Sequence, residues 1–215
     1  MSNDSNPLIV SYLILRKFIG ALGVGLPVVL PIGVAVLGSR AVLQPSISHY
    51  VGTIMRGVFV GVLFAIGVFL FSYVGYGPWD GKRRYEPGDN VAGNVASVFA
   101  LGVALFPTNS GNDLVRSLHF LSAAALFIAL AYISIHLFTK TGETTTDQKR
   151  RRNKLYRVCG WFMIGCIVAI AIYNWFLQDT RLADIKPVFW LEALALWAFG
   201  WAWFVKGKGL GLLND

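Results

Sequence analysis

The chain has 215 residues, of which 55% are hydrophobic and 14% are charged, and its mean hydropathy is +0.59. Soluble domains carry about a quarter charged residues, so this composition excludes the ordinary soluble classes and predicts an integral membrane protein. The formal net charge of +8 fits basic cytoplasmic loops, and we therefore expect the lipid bilayer, not nucleic acid, as the partner.

Six apolar stretches approach the length of about 20 residues that a membrane-spanning helix needs. They lie at 17–38, 50–74, 90–107, 114–138, 155–177 and 187–205. Pro27 and Pro31 predict a bend in the first helix, because each proline removes a backbone donor. The run from Phe18 to Leu37 is too long for a signal peptide, so we expect it to be retained. The sequence thus predicts an all-α integral membrane bundle of six helices, forming a single domain over residues 1–215.

The basic residues between these stretches predict the orientation of the bundle. Fourteen Lys and Arg residues fall on one side, at 16–17, 82–84, 140–157 and 206–208. The opposite loops contain only Arg40, Arg181 and Lys186. Because basic residues collect in cytoplasmic loops, we expect both termini in the cytoplasm and a bacterial-type plasma membrane as the location.

Two charged residues fall well inside the apolar stretches. Arg56 lies six residues into the second stretch and Glu192 six residues into the sixth, which places both about 9 Å from the outer surface at 1.5 Å per residue. A charge in hydrocarbon usually faces the bundle and is paired. The equal depth and opposite sign predict an Arg56–Glu192 ion pair, which either fixes helix packing or belongs to a functional pocket.

Other polar residues are expected in the same outer layer. His49, Thr53 and Arg56 share one face if the second helix reaches back to His49, because their spacing is i, i+4, i+7. The predicted ligand-binding set comprises Arg56, Glu192, His49, Thr53, Arg116, His119 and Asn174. The leading prediction is a protein that binds or senses a polar ligand or lipid headgroup in this outer pocket.

Two other functions stay open at this stage, and with them whether the chain is an enzyme. His49, His119 and an acidic residue could form a metal site, and the Ser-His segment "SISHY" resembles the alkaline-ceramidase superfamily of membrane hydrolases. No closely spaced histidine motif is present, so we predict no metal and no cofactor. The third possibility is an accessory subunit of a larger membrane complex.

The segments "RGVFVGVLFAIGVFLFSYVGY" and "FALGVALFPT" carry a resemblance to known proteins. Together with the proline-containing first stretch, they make the chain similar to a group of uncharacterised bacterial six-helix membrane proteins. More remotely, the chain resembles the Frag1/DRAM/Sfk1 group. The resemblance implies six helices and a role linked to lipids and membrane homeostasis, and it assigns no catalytic residue.

Overall fold

The computed structural model describes residues 7–37, 42–73, 88–140 and 146–207. All regular structure in these ranges is helical, as the sequence predicts. The six α-helices are α1 (Pro7–Val36), α2 (Arg56–Phe71), α3 (Gly88–Leu105), α4 (Asp113–Tyr132), α5 (Asp147–Ile172) and α6 (Pro187–Lys206). One π-helical turn extends α4 (Ile133–Leu137), and another extends α5 (Tyr173–Leu177).

Four helices of the described chain are long and apolar enough to cross a membrane. These stretches are Leu13–Val36, Asp113–Leu137, Asp147–Leu177 and Pro187–Lys206. The apolar parts of the other two helices, Arg56–Phe71 and Asn90–Leu105, are shorter. At 1.5 Å per residue, the 16 residues of α2 extend only about 24 Å. The first helix begins ten residues earlier than predicted and continues unbroken through Pro27 and Pro31, while its bend stays a prediction.

Helices that follow one another in the chain are packed side by side, and α1 closes the arrangement by packing along α6. The bundle has two ends, which we name by residues that lie at them. We call the end that contains Pro45, Asn109 and Lys186 the upper end. The end that contains Lys17, Phe138 and Gly207 is the lower end. Most of the predicted site residues lie toward the upper end.

The contact between α1 and α6 depends on glycine. A Cβ added to Gly20 would lie 2.7 Å from the Gly200 carbonyl oxygen, and one added to Gly200 would lie 2.6 Å from the Gly20 carbonyl oxygen. In both cases the added Cβ would clash with a backbone atom, so a larger residue would force one whole helix to shift. The Trp197 indole adds a hydrogen bond of 3.0 Å to the Val24 carbonyl on α1. Small residues thus let the two backbones approach closely, as is typical of membrane helices.

The second helix begins later than the sequence predicts. Residues Ile47–Gly52 form a short 3-10 helix, and α2 starts only at Arg56. The side chain of Ser46 caps the 3-10 helix, and Thr53 ends it in an extended conformation. The predicted helical stripe of His49, Thr53 and Arg56 is therefore wrong, because no continuous α-helix joins them.

Aromatic side chains fill the lower end of the bundle. Trp203 is almost fully buried, and its ring centroid lies 5.2 Å from Phe69, 5.4 Å from Tyr73 and 5.0 Å from Phe138. All three contacts are edge-to-face, the arrangement that aromatic quadrupoles favour. Lys206 borders this cluster, donates to the Phe138 carbonyl at 3.1 Å and covers the Phe138 ring.

Candidate functional site

The Glu192 carboxylate binds the backbone of the Ile47–Gly52 helix. The Ile47 N–H donates to Glu192 Oε2 at 2.6 Å, and the Ser48 N–H bonds to the same carboxylate. The first N–H groups of a helix have no partner within that helix, so an acceptor from another helix satisfies them. Glu192 is partly buried, and these backbone donors satisfy its carboxyl oxygen.

Further contacts hold the loop before the 3-10 helix against α6. The Phe189 N–H donates to the Pro45 carbonyl at 3.1 Å. Tyr50 is fully buried and donates its hydroxyl to the Val42 carbonyl at 2.7 Å. Its ring centroid lies 6.3 Å from that of Phe189. The segment from Val42 to Gly52 is therefore fixed to the start of α6 by both polar and aromatic contacts.

His49 lies inside this segment and contacts its cap. The Nδ1 atom of His49 is 2.6 Å from Ser46 Oγ, and the His49 N–H donates to the same oxygen at 3.3 Å. Burial lowers the pKa of His49 below its usual range, and the positive charge of Lys186 lowers this pKa further. The imidazole is thus maintained in its neutral form.

His119 on α4 is buried and completes the polar layer. Its Nδ1 lies 2.7 Å from the Phe106 carbonyl, which follows the last residue of α3. A carbonyl only accepts, so this nitrogen carries the hydrogen. The His119 and His49 rings lie near enough to interact electrostatically. His49, His119 and Glu192 thus each bond to a group that holds the fold, and a common binding site for them stays a prediction.

Arg56 does not pair with Glu192, which corrects the central prediction from the sequence. Arg116 on α4 pairs with Asp113, at 2.5 Å, and no ion pair joins Arg56 to a described residue. Arg56 is the first residue of α2, its side chain is exposed, and it forms no ion pair or hydrogen bond with a described side chain. The predicted depth failed because α2 begins at Arg56 instead of six residues earlier.

Arg56 instead borders a groove of 440 Å³ between α2 and α3. The groove is lined by Gly57, Val60, Gly61, Phe64, Ala104 and Leu105. A Cβ added to Gly57 or Gly61 would meet nothing within 4 Å, so these glycines leave space and do not mediate a helix contact. The groove therefore combines one unpaired cation with an apolar wall.

The other predicted ligand residues do not converge on this groove. Thr53 uses its hydroxyl in the turn before α2, donating to the Tyr50 carbonyl at 2.8 Å and accepting from the Met55 N–H at 3.1 Å. Arg116 is exposed beside Asp113, and Asn174 is exposed on the π-helical turn after α5. No hydrogen bond or ion pair between described residues joins Arg116 or Asn174 to the other candidates.

The described residues do not form a metal-binding group. No three His, Cys, Asp or Glu side chains within those ranges lie close enough together to hold one ion. His49, His119 and Glu192 direct polar atoms at Ser46, at the Phe106 carbonyl and at the Ile47 N–H respectively. The geometry therefore offers no support for the metal-dependent hydrolase alternative.

Sequence reasoning missed three contributors to the upper end. Ser46 is the cap of the 3-10 helix, and Ser is a preferred capping residue, so the pattern "SISH" carried a usable signal. The backbone N–H groups of Ile47 and Ser48 carried none, because a sequence displays only side chains. Lys186 adopts the left-handed conformation (φ 55°) before α6, which is uncommon for a residue other than glycine.

Comparison with protein-family models, with curated proteins and with solved structures found no match for the chain.

Proposed function

We propose that the chain is a multi-pass membrane protein that binds an anionic group, such as a lipid headgroup, at Arg56. The observation that carries the proposal is the unpaired Arg56 side chain at the mouth of the groove between α2 and α3. A guanidinium group matches phosphate and carboxylate oxygens by geometry as well as by charge. A cation beside a membrane that has no partner in the described part of the chain is the group that such an anion would neutralise.

The shape of the groove favours a lipid over a small soluble anion. Beyond Arg56 the wall is formed by Val60, Phe64 and Leu105, which present only apolar atoms to a ligand. A headgroup at Arg56 would leave its acyl chain along this wall, where apolar contact with the helices replaces contact with the surrounding lipid. The sequence resemblance to the Frag1/DRAM/Sfk1 group stays a prediction that agrees with a lipid-linked role.

A route for sensing follows from the same segment. Arg56 begins α2, and three residues separate it from the 3-10 helix whose N–H groups bond to Glu192. A ligand bound at Arg56 thus contacts one end of the segment from Ile47 to Arg56, whose other end is bonded to Glu192 on α6. We propose that ligand binding reaches α6 through this segment, because its two ends are only nine residues apart from Ile47 to Arg56.

The test counts lipids that stay bound to the protein. The protein is reconstituted in nanodiscs of equal parts phosphatidylcholine and phosphatidylglycerol, then released into native mass spectrometry. Arg56→Gln should remove one bound phosphatidylglycerol from the count, because retention at this site should fall roughly tenfold or more on loss of a charge-assisted hydrogen bond. Arg116→Gln is the matched control, because Arg116 is an exposed arginine that already has a carboxylate partner.

A second variant tests the groove without changing any charge. Gly61→Leu places a side chain in the empty groove and should lower retention while leaving thermal stability unchanged, because its Cβ meets no neighbour. Stabilisation of the wild type, but not of Arg56→Gln, by soluble glycerol phosphate would show that the ligand is a free anion instead. Equal retention in wild type, Arg56→Gln and Gly61→Leu would overturn the proposal.

We also propose that all six helices cross the plasma membrane with both termini in the cytoplasm. The proposal is supported by the basic residues, fourteen of which fall in segments on one side. Gly111→Cys should react with an impermeant thiol reagent in intact cells, and Gln148→Cys should not. Both native cysteines, Cys159 and Cys166, are buried, so the background should be low. Labelling of Gln148→Cys alone would reverse the orientation.

A further inference from the structure

A second groove, at the lower end, lies between the end of the α4 segment and α5. Its volume is 650 Å³, and α5 provides most of its lining. Asn153 on α5 donates to the Thr139 carbonyl at 3.2 Å, which ties the segment after α4 to α5 at this point. The groove is thus a formed feature of the fold, far from Arg56 and independent of the proposed function at the upper end.

Three cations border this groove and have no partner among the described residues. Arg150, Lys154 and Arg157 are exposed, and their side chains form no ion pair or hydrogen bond with any described residue. Their spacing of four and three residues places them on one face of α5 over about 10 Å. Three cations on one face repel each other, and an anion bound between them removes that repulsion.

Apolar side chains continue the groove one turn further along α5. Trp161 is 65% exposed and Phe162 47% exposed, and both line the groove on the side of Arg157 that faces the upper end. The rise from Arg157 to Trp161 is about 6 Å. Large exposed apolar side chains in a helix that can span a membrane face hydrocarbon, whereas the basic residues lie at the end of that helix. The groove therefore runs from a cationic rim onto a lipid-facing surface.

We infer that this groove binds an anionic phospholipid of the surrounding bilayer, with its phosphate among Arg150, Lys154 and Arg157 and an acyl chain along Trp161 and Phe162. Basic clusters beside a membrane helix attract anionic headgroups. Nucleic acid fits poorly, because Val158, Trp161 and Phe162 give the groove an apolar part. In addition, α5 buries a smaller share of its apolar stretch than the other three candidate spans, which leaves this surface available to lipid.

The experiment compares two double variants of the full-length protein that remove the same charge from one helix. Lys154→Gln/Arg157→Gln removes two cations from the groove. Lys149→Gln/Arg151→Gln removes two cations of the same helix that do not line it. Each protein is placed in nanodiscs of equal parts phosphatidylcholine and phosphatidylglycerol, and bound phosphatidylglycerol is counted by native mass spectrometry.

The groove variant should lose the phosphatidylglycerol bound in this groove, where retention should fall roughly 25-fold, about fivefold for each lost cation, and the control should keep this lipid like the wild type. Trp161→Ala should shorten retention without altering the charge. An equal loss in both double variants would mean that only the net charge of the helix attracts lipid, which would overturn the inference. Thermal stabilisation of the wild type by inorganic phosphate, without selective retention of phosphatidylglycerol, would overturn the inference as well.

Because Arg56 is unchanged in these variants, the two proposals fail separately. Arg56→Gln should lose the lipid at Arg56 and keep the lipid in the lower groove. Lys154→Gln/Arg157→Gln should lose the lipid in the lower groove and keep the lipid at Arg56. All substituted side chains on α5 are wholly or partly exposed, so the variants should unfold at the wild-type temperature.

Discussion

The two ends of the bundle are held by different forces. At the upper end, a carboxylate, a tyrosine hydroxyl and two histidines bond to backbone and hydroxyl groups of neighbouring segments. At the lower end, the rings around Trp203 fill space, and Lys206 donates to the Phe138 carbonyl at the border of that cluster. Polar residues at the upper end are therefore mostly occupied with holding the chain, and those free to bind a ligand are the ones left without partners.

The largest effect is expected at the lower end. Trp203→Ala removes a fully buried ring that touches three other aromatic side chains, and it should lower the free energy of unfolding by about 3–5 kcal/mol. Unfolding in a detergent titration would measure this loss. Trp201→Ala is the control, since Trp201 lies on the same helix and is 45% exposed. Similar losses in the two variants would contradict the claim that the buried Trp203 ring stabilises the lower end.

A smaller but more specific effect is expected at the upper end. Glu192→Ala leaves the Ile47 and Ser48 N–H groups without their acceptor, which should cost about 1–3 kcal/mol of stability. Glu192→Gln retains an acceptor oxygen and should lose less. The same unfolding measurement distinguishes the two. A loss in Glu192→Gln as large as that in Glu192→Ala would show that the negative charge matters and not the acceptor.

The absence of an Arg56–Glu192 pair gives a third test. Because no contact joins them, the effects of Arg56→Gln and Glu192→Gln on stability should add in the double variant to within about 0.5 kcal/mol. Thermal unfolding of the two single variants and the double variant would measure this. Recovery of stability in the double variant would show that Arg56 and Glu192 do interact, as the sequence predicted.

The smallest effect concerns pH. The folded protein lowers the pKa of His49, so the unfolded chain binds a proton more readily. Stability contributed by neutral His49 is present above the unfolded pKa of about 6.5 and is lost as the pH falls toward the folded value. His49→Gln should weaken this dependence in melting curves recorded across that range. Lys186→Gln should weaken it too, because the Lys186 charge contributes to the shift. An unchanged pH dependence in both variants would contradict the role of His49.

The sequence was sufficient for the helices and insufficient for the contacts between them. Long apolar runs predicted the helical structure, and the sixth stretch was placed at 187–205, close to the observed α6 of Pro187–Lys206. The Arg56–Glu192 pair failed for a specific reason: depth was counted along an assumed α-helix from Tyr50, whereas residues 47–52 wind as a tighter 3-10 helix. The true partner of Glu192 is the backbone, whose free N–H groups appear only once the local conformation is known.

The glycine contact between α1 and α6 has a consequence for how the protein is made. Gly20 is synthesised early and Gly200 late, and the Trp197–Val24 hydrogen bond beside them joins residues 173 positions apart. On the ribosome, α1 must therefore wait with its glycine face uncovered while the other helices emerge. Because α6 covers this face of α1, a chain halted before α6 would expose the face to the quality-control proteases of its membrane.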